Sequence, residues 1–553
     1  MKKTLSSVLF LAGVLLVSCN AHDASVCIYQ TDPLIKVLST DSVFTDCPDT
    51  LCVARGENAT FQFVVTSDAA LTDLQASVDA KGLGAVKTGW VHEVFNTNPT
   101  HDAADMLTTP DNMYPDPIID DEEECANPGQ HRILWVDIAV PHSTKAGLHR
   151  CVVSLTAQRD GKTVCVKKRC CVKVFPVDLP DEQGLKVVNW YSPNNVGRLA
   201  DEGESVAHGS DRYLELLQII AETAAEYGQN CWNVCETPTL VLNEDSTDFV
   251  LDFTYFDRAM EMLIEHGNLK YFCNAHFGGR FQGAAWSDPM GFYAHYVEDK
   301  AIHTAFLPCT DPRLKVFVQK YYSQIEAHFR KKGWLDICYQ HIADEPDNMG
   351  TESQKSWSAV AAMVKEAAPG LRTVDASFEC IENQDVSVVL LGNNIESLPP
   401  LPEGSERWMY TCTGPQGNFA NRFVQLPLLK TRILHWINFK YNEVGYLHWG
   451  YNYWEFSKDP LHDVTPSTQW PGGDCYIIYP GHEKVYPSIR LCAMREGIRD
   501  YDLLRMVEAK DPEKAREFCN SVILGPDNYN MDTKHFYKVR REMLEYLGGM
   551  PPR

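Results

Sequence analysis

Asp344 and Glu345, adjacent and followed by Pro346, are the residues of this chain best suited to acid–base chemistry. Residues 334–340 before them read as a buried strand that runs straight into the two acids. Side chains alternate along a strand, so neighbours point to opposite faces. Two adjacent acids serve one pocket only where the strand ends and the backbone turns. Pro346 marks that end, since it lacks an N–H for the ladder and is expected to hold Glu345 extended. The pair is therefore placed at the C-terminal tip of a strand, facing a cleft. A solvated acidic turn is the alternative.

The elements that would position this pair fall into two patterns. Residues 25–180 carry short alternating runs at 57–65, 131–140, 148–157 and 164–175, separated by turn signals and without useful helical periodicity. That pattern predicts an antiparallel β-sandwich. Tyr114-Pro115-Asp116-Pro117 reads as an irregular loop that reaches the neighbouring domain. Pro176, Pro180, Asp181 and Gly184 mark a boundary near residue 182. Beyond it, strand candidates at 186–191, 231–235, 271–276, 337–343, 373–378, 387–391, 408–412 and 445–451 alternate with helices, the fifth and sixth of which would be short. Alternation implies parallel crossovers, and eight units imply a (β/α)8 TIM barrel with its reactive groups at the C-terminal strand ends. A doubly wound open sheet is the alternative. The expected division is 1–18 leader, 19–182 β-sandwich, 183–510 barrel and 511–553 helical extension.

The barrel reading brings further side chains to the same mouth: Asn274 and His276 after the third strand, Tyr410 and Cys412 at the seventh, and His448, Trp449, Tyr451 and Trp454 at the eighth. His276 contacts a ligand hydroxyl or is a core histidine bonded to a neighbouring strand. Trp449 and Trp454 offer a stacking floor or are core. Arg422 reads as the partner of an acid, and Arg495 with Asp500 as a structural ion network. No His/Cys/Asp cluster has metal-ligand spacing and no Gly-rich loop cradles phosphate, so neither metal nor cofactor is expected. Cysteines such as Cys273, Cys338 and Cys492 sit in apolar runs as small hydrophobes.

Of the 553 residues, 50 are basic and 74 acidic, a formal net charge of -24. That charge repels phosphate backbones and anionic bilayers, so nucleic acid is not an expected partner. Lys2 and Lys3 precede an apolar run over residues 5–17 that is too short to span a bilayer. It ends in Leu16-Val17-Ser18-Cys19, which looks like a bacterial lipobox. Cys19 would be lipidated as the first mature residue, tethering the chain to the cell envelope, and the membrane would be touched only through that anchor.

An acid pair in an aromatic-rich cleft suits glycoside hydrolysis. Two-carboxylate glycosidases draw their acids from different elements about 5–5.5 Å or about 6.5–9.5 Å apart, which an adjacent pair fits poorly. It fits substrate assistance better, where a 2-acetamido oxygen attacks the anomeric carbon. On Ala343-Asp344-Glu345-Pro346, Tyr114-Pro115-Asp116-Pro117, Asn421-Arg422-Phe423, Gly445-Tyr446-Leu447-His448-Trp449-Gly450-Tyr451-Asn452-Tyr453-Trp454 and Arg495-Glu496-Gly497-Ile498-Arg499-Asp500-Tyr501, the sequence resembles the bacterial β-N-acetylgalactosaminidases of glycoside hydrolase family 123. The resemblance implies a β-sandwich followed by a barrel, with Asp344 stabilising the acetamido group and Glu345 as general acid/base. It also implies N-acetylgalactosamine on glycosphingolipid or mucin-type glycans as substrate. Two other readings stand beside it: a glycan-binding lipoprotein without catalysis, and a two-carboxylate glycosidase with Asp375 partnering Glu345.

Overall fold

Period-two alternation in the first third of the chain produces two sheets. The five-stranded sheet runs in the order Val26–Thr31, Glu57–Ser67, His131–Val140, Val86–Phe95 and Met113–Ile119. The four-stranded sheet runs Thr50–Arg55, Lys162–Asp178, Gly147–Arg159 and Thr72–Asp79. Phe61 and Leu134 of the first share one hydrophobic cluster with Val153 and Val172 of the second. His131–Val140 is apolar on both faces for a reason. Leu134, Val136 and Ile138 enter that cluster, whereas the alternate residues Ile133 and Trp135 join the core continuous with the barrel. This computed structural model describes residues 26–549 apart from 45–46, 48–49, 348–349, 378–380 and 393. Cys19 and its leader lie outside the described residues.

One expectation here is corrected. Tyr114-Pro115-Asp116-Pro117 is not an irregular loop but part of the strand Met113–Ile119. That strand lies at the sheet edge, where proline's missing N–H breaks no ladder. It does reach the barrel: Asp116, fully buried, takes the Arg490 guanidinium at 2.7–3.0 Å.

All eight later strands form. They are Lys186–Asn189, Cys231–Val234, Tyr271–Asn274, Cys338–His341, Arg372–Ser377, Val386–Leu390, Glu406–Tyr410 and Gly445–His448, paired in parallel in one nearly closed, barrel-like sheet. Only the first and second strands lack a ladder between them. That seam is bridged by side chains: Asn230 Oδ1 accepts from the Val187 N–H at 2.8 Å, and Gln229 Oε1 from the Asn189 N–H at 3.2 Å. Val188, Cys231, Cys273, Tyr339, Val374, Val388, Trp408 and Leu447, one from each strand, fill a common interior, so the sheet encloses a packed core rather than a pore. Cys231 and Cys273 are buried free thiols there, and Cys338 is one in the larger core outside it.

The helices differ more from expectation. Asp211–Glu226, Thr254–His266, Pro312–Lys332, Glu352–Ala367 and Ile489–Lys510 lie where periodicity places them. Among the described residues the fifth strand has no following helix, and the sixth has only the 3₁₀ turn Ile395–Ser397. Between the seventh and eighth strands the expected helix is two shorter ones, Leu428–Arg432 and Leu434–Lys440. An insertion after the third strand, Gly278–Arg280, Met290–Glu298 and Ala301–Pro308, forms its own three-stranded sheet.

Buried ion pairs weld the two parts. Arg495 holds Asp137 bidentately at 2.8 and 2.9 Å. Asp500 takes Arg432 at 2.8 Å and also Arg540 of the C-terminal helix Thr533–Leu547, which in turn reaches Glu57. The expected structural network of Arg495 and Asp500 is present. Arg422 departs from expectation: it is buried and donates to Asn189 Oδ1 at 2.6 Å and the Gly450 carbonyl, with no acid within ion-pair distance among the described residues. Burial lowers its pKa to about 10. Asp137→Ala would leave the buried Arg495 charge with Glu496 Oε1, at 3.0 Å, as its one remaining acidic partner among the described residues. It is expected to cost about 3–5 kcal/mol in chemical denaturation, and a loss below about 1 kcal/mol would contradict the weld.

Candidate functional site

The fourth strand ends at His341, and the chain then turns into Asp344 and Glu345. Glu345 is not extended, as expected from Pro346, but sits at φ 49°. A non-glycine residue there costs on the order of 1–3 kcal/mol and persists only where surroundings over-determine it. They do so here. Arg280 donates from Nη2 to the Glu345 carbonyl at 2.6 Å and from Nη1 to the Asp344 carbonyl at 3.3 Å. The Tyr410 hydroxyl, from the seventh strand, donates to Glu345 Oε1 at 2.8 Å. Arg280 is brought in by the insertion, whose Gly278 N–H donates to the Ile342 carbonyl at 2.9 Å. A Cβ on Gly278 would meet Phe292 at 2.5 Å and Ala343 at 2.8 Å, so only glycine permits this approach.

Beneath the pair lies a second carboxylate system. Asp375 of the fifth strand is fully buried. Its oxygens accept from the Ile342 and Ala343 N–H groups at 2.8 and 3.0 Å, Trp357 Nε1 at 2.7 Å and His341 Nδ1 at 2.6 Å. His276 Nε2 lies 2.9 Å from the same carboxylate. Burial alone would raise the Asp375 pKa, but the two imidazoles and these bonds hold it at about 2. Asp375 is therefore not a second catalytic acid for Glu345, because it has no exposed oxygen to offer. His276, His341 and Asp375 have the side-chain types of a cation site within 4.8 Å, a grouping that sequence spacing hid. Asp375 already serves two main-chain and three side-chain nitrogens, so the cluster works as a hydrogen-bond hub. The two rings stack at 4.1 Å, and Trp190 meets both edge-on.

Asp344 sits above this hub. Burial raises its pKa to about 7, with Glu345 and Asp375 adding to the rise while His276 and Arg280 oppose it. The site can thus hold a proton on one of two adjacent carboxyls near neutral pH.

The other expected residues divide. Asn274 is buried and donates to Gln340 Oε1 at 3.0 Å, tying the third strand to the fourth. Trp449 is half-buried, and its indole N–H donates to Asp474 Oδ2 at 3.1 Å within a cluster with Tyr453 and Trp470. Trp454 is fully buried and donates to the Ile478 carbonyl at 2.8 Å, so it presents no face for stacking. Tyr451 is likewise buried. Both belong to the core, because the chain coils back after His448 and covers them. Arg280, His341, Trp190 and Asp474 were missed by sequence reading. Only Asp474, a lone acid in an aromatic stretch, carried any local signal.

A family model for the glycoside hydrolase 123 catalytic domain matches residues 206–507, more than half of the chain. Among solved structures, a family 123 glycoside hydrolase from Clostridium perfringens superposes with a TM-score of 0.69 at 14% identity, covering 95% of this chain and 97% of that one. A family 39 glycoside hydrolase from Bacteroides cellulosilyticus WH2 gives a TM-score of 0.34 at 9% identity, covering 82% and 81%, too slight an overlap to argue from. No curated protein matches this chain.

The two hub histidines should titrate apart. For His341, burial and the neighbouring His276 lower the pKa to about 4, whereas for His276 burial is outweighed by Asp375 and the pKa rises. At about pH 6, between the two, His276 is expected to be cationic and His341 neutral with its proton on Nδ1. Ring nitrogen NMR shifts read this directly; two rings titrating together would contradict the hub.

Proposed function

Because the chain belongs to glycoside hydrolase family 123, we propose that it is a retaining, exo-acting β-N-acetylgalactosaminidase that removes terminal β-linked N-acetylgalactosamine by substrate assistance. The observation that carries this reading is the adjacency of Asp344 and Glu345 at the strand-four turn. Glu345 is wrapped by Tyr410 and Arg280, directly beside Asp344. Two acids on consecutive residues cannot flank a glycosidic bond from opposite sides. They can divide one face of it. In this reading the acetamido oxygen attacks the anomeric carbon while Asp344 accepts the acetamido N–H. Glu345 gives its proton to the departing glycosidic oxygen, and the leaving sugar takes the bonding pair. The Glu345 carboxylate then removes a proton from the water that opens the oxazolinium ion, restoring the original configuration.

Supporting groups follow. Tyr410 orients Glu345, His276 faces the Asp344 charge, and the half-exposed Trp449 offers a face to the sugar. We read the two N-terminal sheets as a β-sandwich ending near residue 182, the barrel as 183–510 and the last helices as an extension. Cys19 is the lipidation site that tethers the enzyme to the bacterial envelope. The C. perfringens relative is described in terms of glycolipid glycan hydrolysis, which favours glycolipid or glycoprotein glycans as substrates. A sugar-binding lipoprotein is the contrasting class, and hydrolysis of a chromogenic β-N-acetylgalactosaminide separates the two.

Glu345→Gln is expected to lower kcat by about 10²–10⁴ on glycan leaving groups and less on activated aryl ones, which need little protonation. Asp344→Asn should slow both. Protonated Asp344 cannot accept the acetamido N–H, so kcat/KM should fall as pH drops through about 7. A covalent sugar–enzyme ester, or full activity in Asp344→Asn, would sink substrate assistance.

The sugar is chosen by its 4-hydroxyl. When axial, it leaves an apolar patch from C3 to C6 that stacks on an indole such as Trp449. An equatorial hydroxyl disturbs the fit and leaves a polar partner unpaired. The aryl β-N-acetylgalactosaminide should therefore show the higher kcat/KM of the two epimers, with equal or reversed preference discarding the sugar assignment.

A further inference from the structure

Trp286 stands out among the tryptophans of the described residues because it is the exposed one, at 46%. Its ring lies against the Arg280 guanidinium, Cζ to centroid 3.5 Å. The same guanidinium grips the Asp344 and Glu345 carbonyls. Indole, guanidinium and catalytic turn thus form one stack, with Trp286 outermost. The loop that carries it is fastened at several points. The Ser287 carbonyl accepts from the Ser353 N–H at 3.0 Å, Asp288 Oδ2 from the Ala285 N–H at 2.7 Å, and Ser356 Oγ from the Met290 N–H at 2.9 Å. An anchored loop that leaves an indole in water incurs an unfavourable apolar exposure that folding alone does not require. One face of the ring is used by Arg280, and no aromatic ring among the described residues packs on the other.

We propose that Trp286 is the platform of the leaving-group subsite and takes the apolar face of the sugar ring next to the scissile bond. This rests on the assignment of Glu345 as general acid. The atom that Glu345 protonates is the glycosidic oxygen, which departs with the leaving sugar. Groups stacked outward from Glu345 are therefore beside the leaving sugar, not the acetamido sugar. An indole recognises a neutral saccharide ring by its C–H face, and the flat guanidinium behind it both fixes the plane and polarises the ring. The insertion after the third strand then has a task. It clamps the catalytic turn through Arg280 and extends the binding surface past it through Trp286. Occupancy of the platform presses on the same Arg280 that holds Glu345 in its left-handed conformation.

The test compares the full-length protein with Trp286→Ala and Trp286→Phe. The substrate is a disaccharide with β-linked N-acetylgalactosamine on a hexose, and the inhibitor is the N-acetylgalactosamine thiazoline, which fills the acetamido-sugar site alone. Trp286→Ala is expected to lose about tenfold or more in kcat/KM on the disaccharide, the scale of a well-packed tryptophan contact. The thiazoline Ki should stay within about twofold of wild type, and Trp286→Phe should recover most of the loss. Undiminished disaccharide turnover in Trp286→Ala would overturn the subsite. So would an equal weakening of the thiazoline, which would make Trp286 a support of the catalytic turn instead. Failure of the wild-type protein to cleave the disaccharide and bind the thiazoline would overturn the parent reading of the site, and this inference with it.

Discussion

The buried carboxylate of Asp375 is the constraint on which the end of the barrel that carries Asp344 and Glu345 depends. It sits on the fifth strand, yet its hydrogen bonds go to the main chain just past the fourth, to histidines following the third and ending the fourth, and to Trp357 on the helix Glu352–Ala367. An isolated buried carboxylate is strongly disfavoured, and this one stays ionised because donors surround it. The converse matters more. Any shift of the strand-four tip would unpair a buried charge, so the segment leading into Asp344 and Glu345 has one place to be. The strained turn at Glu345 is tolerable because Asp375 fixes it from below and Arg280 from the side.

A second set of buried charges orients the rest. Asp116 with Arg490, Asp137 with Arg495, and the Asp500–Arg432–Arg540–Glu57 chain join the N-terminal sheets, the closing helix and the C-terminal helix. Such pairs return little net stability over an apolar contact, but they penalise any other register heavily. The N-terminal sheets also hold loops at the barrel mouth. Asn96 donates to Gln425 Oε1 at 3.1 Å, and Asn98 to the Pro466 and Thr468 carbonyls at 3.2 and 2.7 Å. The loop carrying Trp470, which packs on Trp449, is therefore positioned from the N-terminal part of the chain.

Much of this was legible beforehand. Alternating runs and turn residues located the eight barrel strands to within a few residues, because burial on both faces of a parallel sheet leaves an unmistakable apolar run. The acid pair stood out because two charges at the end of such a run have no structural use there. The tip's conformation was not legible. Pro346 argues locally for an extended Glu345, and the opposing argument, the Arg280 clamp, comes from a residue 65 positions earlier. That no α-helix follows the fifth and sixth strands among the described residues was not legible, because short polar segments read alike whether helical or turned. Trp449 and Trp454, five residues apart, look equivalent as letters, and only the path of the chain after His448 exposes one and buries the other.

By itself, then, the sequence determined where the eight barrel strands lie, which runs are apolar and where two carboxylates must leave a strand. These are properties of near neighbours, set by side-chain periodicity and by proline's missing N–H. Tertiary structure alone decided that Asp375 is a structural anchor rather than a catalytic acid. It also decided that His276 and His341 share that anchor, and that Arg280 and Trp286 stand beside Glu345. Those outcomes depend on charges and rings brought together from distant parts of the chain when the barrel closes. Their energies are set by burial and by partner geometry, neither of which exists before closure.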